Sequence, residues 1–295
     1  MNEAPKFYVT LDAAVAPVAD ALRLTLDSLC AQTLAPQRVE IVMPAEPSER
    51  LARAASNLPR HVMTVSEPSR LLPDCGRRLW IGAGAEWRPW HLEQIACLLA
   101  DHPEADVVWW DEATVDDDGW MTHESTPDND GDPWRSHLLF GALEPSRCAV
   151  RSDITPYVPD PANPIVSGAE ALLARQSPHV YKLHGEPMVI NHIRPQLSTK
   201  EELDDVDRLL LSAGRDDLMD YTRLRRAIVA GRLSAEGFHD EADKLMLPLL
   251  AQGTLRDALR RRAVYMVSRY GTRPVRIDAM IRLLDWRPKR RPLRR

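Results

Sequence analysis

The chain has 295 residues, of which 44% are hydrophobic and 27% charged, enough for one large domain or two modest ones with a sizeable core. No apolar run approaches a membrane span, and residues 1–6 lack the basic and apolar regions of a secretory leader, so neither an integral membrane protein nor a secreted one is expected. The formal net charge of −5 hides an asymmetry: residues 256–295 hold 14 Lys and Arg against 3 Asp and Glu, so this end carries +11 and the rest −16. An acidic body with a basic end calls for an anionic partner. The 4 cysteines, Cys30, Cys75, Cys97 and Cys148, are scattered without a C-x-x-C pair and read as reduced cytosolic thiols, neither a disulfide frame nor a zinc site.

Strand and helix signals alternate through the first hundred residues. A β-rich run over 7–11 ends at Asp12, and Val18, Leu22, Leu26 and Leu29 then follow helical spacing until Ala35-Pro36. Strands are predicted over 39–43, 61–65, 78–81 and 106–110, with helices over 51–58 and 89–100 between them. This alternation predicts a mostly parallel sheet with helices on both faces, whose ligands sit beyond the carboxyl ends of the strands. Residues 111–164 are rich in Asp, Pro and Gly and read as loop. A helix near 169–176 and a strand over 186–190 follow. From 198 onward the pattern is helical, over 201–213, 218–230, 234–252, 255–270 and 275–286. A helical hairpin over 231–250 has no second copy, so no repeat is read.

Several of these segments carry a family resemblance. Leu26-Asp27-Ser28-Leu29-Cys30-Ala31-Gln32-Thr33, with Pro36 and Val39-Glu40-Ile41-Val42, is similar to the first helix and second strand of family 2 glycosyltransferases. Trp109-Trp110-Asp111-Glu112-Ala113-Thr114-Val115-Asp116-Asp117-Asp118-Gly119 resembles a stretch of the members that build O-antigen and related polysaccharides. Pro127-Asp128, Ser136-His137, Arg151 and Met188-Val189-Ile190-Asn191-His192-Ile193-Arg194 resemble later motifs of that subgroup. The resemblance covers residues 7 to about 197. It implies a GT-A fold, Rossmann-like, holding a UDP- or dTDP-sugar at the ends of its strands and passing the sugar to the hydroxyl of a glycan acceptor.

Departures from the family pattern fall on its carboxylates. Where the family carries a metal-holding D-x-D, this chain reads Gly82-Ala83-Gly84-Ala85, with Glu86 the nearest acid. Pro44-Ala45-Glu46-Pro47 stands at the family's nucleotide-contacting acids, and Gly168-Ala169-Glu170-Ala171-Leu172 at its catalytic base. The helix after the third strand is replaced by a short loop over 67–76. Candidate catalytic residues are therefore Glu170 and Asp111. Candidate donor- or substrate-binding residues are Asp12, Glu46, Glu86, Glu112, His137, His192 and Arg194, the last two being suited to diphosphate oxygens. No metal ligand set is expected, nor any cofactor beyond the donor. Four of the candidates have a plainer reading: Asp111 and Glu112 as turn residues, Glu170 as a first-turn helix acid, His192 as a structural histidine. A one-residue helical step turns a side chain by about 100°, which sets Glu170 off the family's base position.

Trp80, Trp87, Trp90, Trp109, Trp110, Trp120 and Trp134 crowd this region, as stacking faces for sugars or as core. Near the C-terminus, Leu255, Leu259, Ala263, Met266, Val267 and Tyr270 form one apolar helical stripe, and Ile277, Met280, Ile281 and Leu284 another, both set among arginines. Such helices suit an anionic membrane surface or a protein partner; packing of both stripes on the body is the plainer alternative. Nucleic acid is not expected, since the body is acidic and lacks a recognised module. The sequence thus predicts α/β; GT-A (Rossmann-like) mostly parallel sheet followed by a helical C-terminal domain, in a GT-A glycosyltransferase-like domain over 1–197 and a basic-tailed helical domain over 198–295. The expected protein is cytoplasmic and able to touch the inner face of a membrane. Two roles stay open: a transferase of surface polysaccharide or glycoconjugate assembly, and a non-catalytic relative that binds sugar or scaffolds a partner.

Overall fold

The computed structural model describes residues 5–13, 19–55, 59, 61–65, 76–115, 118–123, 125–128, 132–154, 168–175, 178–192, 199–271 and 273–285. They divide into two compact units, one of Met1–Glu124, Asp130–His137 and Gly141–Pro195, the other of Ser125–Asn129, Leu138–Phe140 and Gln196–Arg295. No helix of the described residues is long and apolar enough to cross a membrane.

The first unit opens with β1 (Phe7–Asp12), α1 (Ala19–Cys30), β2 (Arg38–Val42), α2 (Glu49–Ala54), β3 (Val62–Val65), β4 (Arg77–Gly82), β5 (Ala85–Trp87), α3 (His91–Asp101) and β6 (Val107–Trp110). Then follow β7 (Glu112–Val115), β8 (Met121–His123), α4 (Pro133–Phe140), β9 (Cys148–Arg151), α5 (Gly168–Ala174), β10 (Val180–Leu183) and β11 (Val189–Asn191). A seven-stranded sheet runs β10-β6-β9-β4-β1-β2-β3, parallel except for β9, which opposes β4 and β6. Alternation sorts its faces. Phe7, Val9 and Leu11 join Val39, Ile41, Leu79 and Ile81 in the core beneath Leu22, Leu26 and Leu29 of α1 and Leu92, Ile95 and Leu99 of α3. The other face of β1 sets Tyr8 and Thr10 in register with Arg38, Glu40, Arg78 and Trp80.

The stretch read as loop over 111–164 contains β7, β8, α4 and β9. Strands of three or four residues are too short for a period to show, and the Asp and Gly between them dominate the composition. The ends of α4 were nonetheless written in the sequence: Asp132 accepts from the Arg135 N–H at 3.0 Å, Pro133 opens the helix, and Gly141 closes it at φ 70°. β10 is likewise absent from the sequence reading. The helices predicted over 218–230 and 234–252 divide instead at Gly237, whose φ is 92°.

A row of buried polar side chains joins α1 to the connection from β4 into α3. Thr25 Oγ1 donates to the Ala85 carbonyl at 2.8 Å and accepts from the Gly84 N–H at 3.0 Å. Ser28 Oγ accepts from the Trp87 N–H at 3.1 Å, and the Gln32 amide donates to the Arg88 carbonyl at 2.8 Å and accepts from the Leu92 N–H at 3.2 Å. All three residues are buried.

The second unit is helical: α6 (Lys200–Ser212), α7 (Met219–Ala235), α8 (His239–Leu250), α9 (Leu255–Arg269) and α10 (Pro274–Asp285). α7 is its centre, packing Leu224, Ala227, Ile228 and Ala230 with Leu245 and Leu249 of α8, Val264 of α9, and Ile277 and Ile281 of α10. At Gly231 an added Cβ would stand 2.5 Å from the Tyr265 carbonyl oxygen, so α7 and α9 touch backbone to backbone there. Two arginines are buried with partners. Arg226 meets Asp204 at 2.9 Å and Asp207 at 2.6 Å, while Arg261 donates to the Leu249 and Gln252 carbonyls at 2.6 and 2.8 Å and closes the end of α8.

Two measurements test this packing. Thr25→Val removes the hydroxyl that serves two buried backbone groups and is expected to cost about 1–3 kcal/mol in urea unfolding, with Thr25→Ser retaining most of the stability. His91 is fully buried, edge-on to Trp87 and Trp110 at 4.9 and 4.6 Å, and burial drives its imidazole from 6.5 down to about 3. The unfolded chain therefore binds the extra proton first. The stability His91 supplies is whole above its unfolded pKa and drains away as pH falls towards 3, with a slope approaching 1.36 kcal/mol per pH unit, roughly, from this side chain. His91→Phe should flatten that part of the acid limb in unfolding curves recorded between neutral and acid pH.

Candidate functional site

Both β4 and β6 leave the large sheet at their carboxyl ends and enter a second sheet of order β5-β11-β7-β8. β4 does so through the turn at Ala83 and Gly84, whose φ is 97°, and β6 through Asp111. The Ala83 N–H bonds the Asp12 carbonyl at 3.0 Å, which places the Gly82–Ala85 turn beside the end of β1. The His192 N–H bonds the Gly84 carbonyl at 2.9 Å, so the same turn is held by α1 on one side and by the end of β11 on the other.

Register decides which candidates meet. β11 pairs Val189 with Glu112 and Trp87, and Ile190 with Ala113 and Glu86. By strand alternation Glu86, His192, Asp111 and His123 share one face of the small sheet, while Glu112, Asn191 and Trp87 share the other. On the first face His192 Nε2 lies 3.0 Å from Glu86 Oε2, both side chains being 35% exposed. Asp111 is buried there against Lys182 at 2.8 Å, with His123 at 3.8 Å and Arg147 at 4.0 Å. The Lys182 ammonium also stands 4.7 Å over the Trp109 ring. On the second face the Asn191 amide donates to Glu112 Oε2 at 3.0 Å, and Oε1 is buried without a hydrogen-bond partner among the described residues. Burial pushes the Glu112 carboxyl up to about 7, against the lowering pull of Arg147 and Asn191. It can therefore give or take a proton near neutrality, whereas Asp111 is an ion-paired acceptor.

The remaining candidates are distributed as follows. Asp12 ends β1 opposite Gly82, and Glu46 lies exposed in the bend after β2. His137 Nδ1 accepts from the Leu143 N–H at 3.2 Å, so its ring closes the turn after α4. Glu170 lies within α5, and Arg194 falls outside the described residues. Among the described residues no three of His, Cys, Asp and Glu gather as a metal ion would need. Trp87, Trp109, Trp110 and Trp134 are core, Trp80 is half-buried, and Trp90 and Trp120 are exposed. Lys182 and Arg147 are absent from the sequence reading. A lone Lys in the four-residue β10 and an Arg in the turn at Pro145–Arg147 leave no periodic or motif signal.

The Asp111–Lys182 pair is open to a double-mutant cycle. Lys182→Met removes the nearest cation from a buried carboxylate and is expected to cost about 3 kcal/mol, while Asp111→Asn with Lys182→Met recovers part of that loss. Urea unfolding of the four proteins checks it; additive effects would show that the pair contributes no coupling.

No family model and no curated protein matches the sequence. Solved structures do resemble the fold. That of S. aureus TarS aligns with a TM-score of 0.51 and 13% identity over 95% of this chain and 55% of TarS, so this chain spans about half that protein's length. TarS 1–349 from S. aureus in complex with UDP gives 0.49 and 15% over 95% of this chain and 86% of that one. Glucosyl-3-phosphoglycerate synthase from Mycobacterium tuberculosis, in complex with Mn2+, UDP and glucosyl-3-phosphoglycerate, gives 0.39 and 11% over 71% and 78%. The fold is the α/β arrangement of GT-A type, with a mostly parallel sheet followed by helices.

Proposed function

We propose that this chain is a glycosyltransferase-like protein that holds a nucleotide-sugar at the carboxyl edge of its seven-stranded sheet. One observation carries the reading. β1, β4 and β6 end together there, and the strands that continue from β4 and β6, with β11 between them, set Glu86, His192 and Asp111 on one face, where Asp111 meets Lys182 of β10. The TarS-like fold and the family resemblance support it. A UDP- or dTDP-sugar would lay its diphosphate towards His192, with Arg194 two residues further along the sequence. An acceptor hydroxyl would attack the anomeric carbon as the nucleoside diphosphate leaves. The family's divalent cation does not fit: the Gly82–Ala85 turn offers it no side chain, and His192 engages Glu86, the nearest acid. Protein cations must then stabilise the leaving group. The finer reading, assembly of a bacterial surface polysaccharide or glycoconjugate, rests on the similarity of residues 109–119 to that subgroup.

A non-catalytic role is the second reading, and the pairing of Asp111 with Lys182 and Glu86 with His192 favours it, since each carboxylate is already engaged by a basic side chain. Calorimetry with UDP- and dTDP-sugars, in chelator and in manganese, tests the site. Binding is expected to be equal in both and weakened about tenfold by His192→Ala, the worth of one charge-assisted hydrogen bond. A large gain with manganese would mean that other acids rebuild the metal site. Binding without turnover in the presence of glycan acceptors would select the non-catalytic reading.

A further inference from the structure

α9 has two opposed faces. Val264, Arg261 and Ser268 are buried against the rest of the helical unit. On the opposite side Leu255 is 78% exposed, Leu259 58%, Met266 37% and Tyr270 76%. At 3.6 residues per turn these four lie within an arc of about 60°, so they form one outward stripe. Arg262 and Arg269 flank it on one side and Arg256 on the other, all three exposed. The single acid of α9, Asp257, is turned away from the stripe and bonded to Thr254 in the cap of the helix. Among the described residues no ion pair holds Arg262 or Arg269, so two guanidinium groups border the stripe without a carboxylate at ion-pair distance. The sequence adds Arg287, Lys289, Arg290, Arg291, Arg294 and Arg295 beyond α10.

We infer that this face of α9 lies on an anionic lipid surface, its leucines and Tyr270 entering the headgroup layer and its arginines meeting lipid phosphates. A second copy of the chain is a poor occupant, because a two-fold contact sets the same arginines against each other. Nucleic acid would leave Leu255 and Leu259 facing a phosphate backbone. Long arginine stems suit a bilayer, covering apolar surface while their heads reach outward.

Co-sedimentation of the full chain with vesicles tests the inference. Phosphatidylglycerol-containing vesicles should bind it at low salt, and pure phosphatidylcholine vesicles should not. Leu255→Ser with Leu259→Ser should weaken binding roughly tenfold, and Arg262→Gln with Arg269→Gln about fivefold per arginine, the latter loss shrinking as salt rises. All four positions are exposed, and unchanged thermal melts confirm that the variants fold. The inference is overturned if the stripe variants bind as the parent does while a chain ending at Asp285 does not, since the tail alone would then be the anchor. It is equally overturned if the parent ignores anionic vesicles. Sedimentation velocity would then show whether Leu255→Ser with Leu259→Ser dissolves a self-association that the stripe serves instead.

Discussion

The buried row of Thr25, Ser28 and Gln32 fixes the place where β4 leaves the large sheet. Its hydrogen bonds reach backbone groups, within its own helix and across to residues 84, 85, 87, 88 and 92, so it specifies a path for the chain rather than a particular side chain along it. Once that path is set, β5 must run beside β11, and β11 must run beside β7, because the registers are continuous. The pairing of Glu86 with His192 and of Glu112 with Asn191 then follows from alternation. Buried hydroxyls and an amide are costly unless satisfied, and here each closes on backbone groups of the connection. The same interaction thus stabilises the connection and excludes alternatives to it.

β6 shows a related constraint at its two ends. Its four residues are wholly buried, and a buried carboxylate stands on either side of them. Asp106, before the strand, meets Arg151 at 3.2 Å and accepts from the His179 N–H at 3.0 Å. Asp111, after it, meets Lys182. Both sets of partners come from the neighbours β9 and β10 or the residues leading into them. A slip of β6 by one residue would break both pairs and turn Trp110 away from His91. Ion pairs of this kind add little net stability, but displacing one partner is expensive, and that asymmetry locks register.

The parts of this arrangement readable from sequence are those that repeat or punctuate. Leu22, Leu26 and Leu29 announce α1 by spacing, and the β-branched runs of β1 and β2 announce the sheet. The Ser28 and Gln32 of the family-like segment were visible as a motif, but not what they do. Their partners are backbone atoms some 60 residues away in sequence, and a backbone atom leaves no mark on composition. Lys182 was hidden for a similar reason. Its meaning lies in a cross-strand neighbour 71 residues earlier, Asp111, and a single Lys in a short strand reads as an ordinary solvated residue. Glu112 was found through its motif, yet its raised proton affinity comes from burial, which no local pattern shows.

The helical unit solves its charge problem by the opposite distribution. Arg226 and Arg261 are drawn inside, where two carboxylates and two helix-end carbonyls respectively engage them. Gly231 lets α9 approach α7 so closely that the contact is made by backbone and small side chains, Ser268 among them. A contact of that kind needs only a narrow face of α9, centred on Val264. The large apolar residues Leu255, Leu259 and Tyr270 are therefore surplus to the core and stand outside it. The apolar positions Ile277 and Ile281 of α10, which the sequence presents in an equivalent stripe, are instead fully buried. Helical periodicity reveals that a face exists; which face the core consumes is settled by how closely the neighbouring backbone can come.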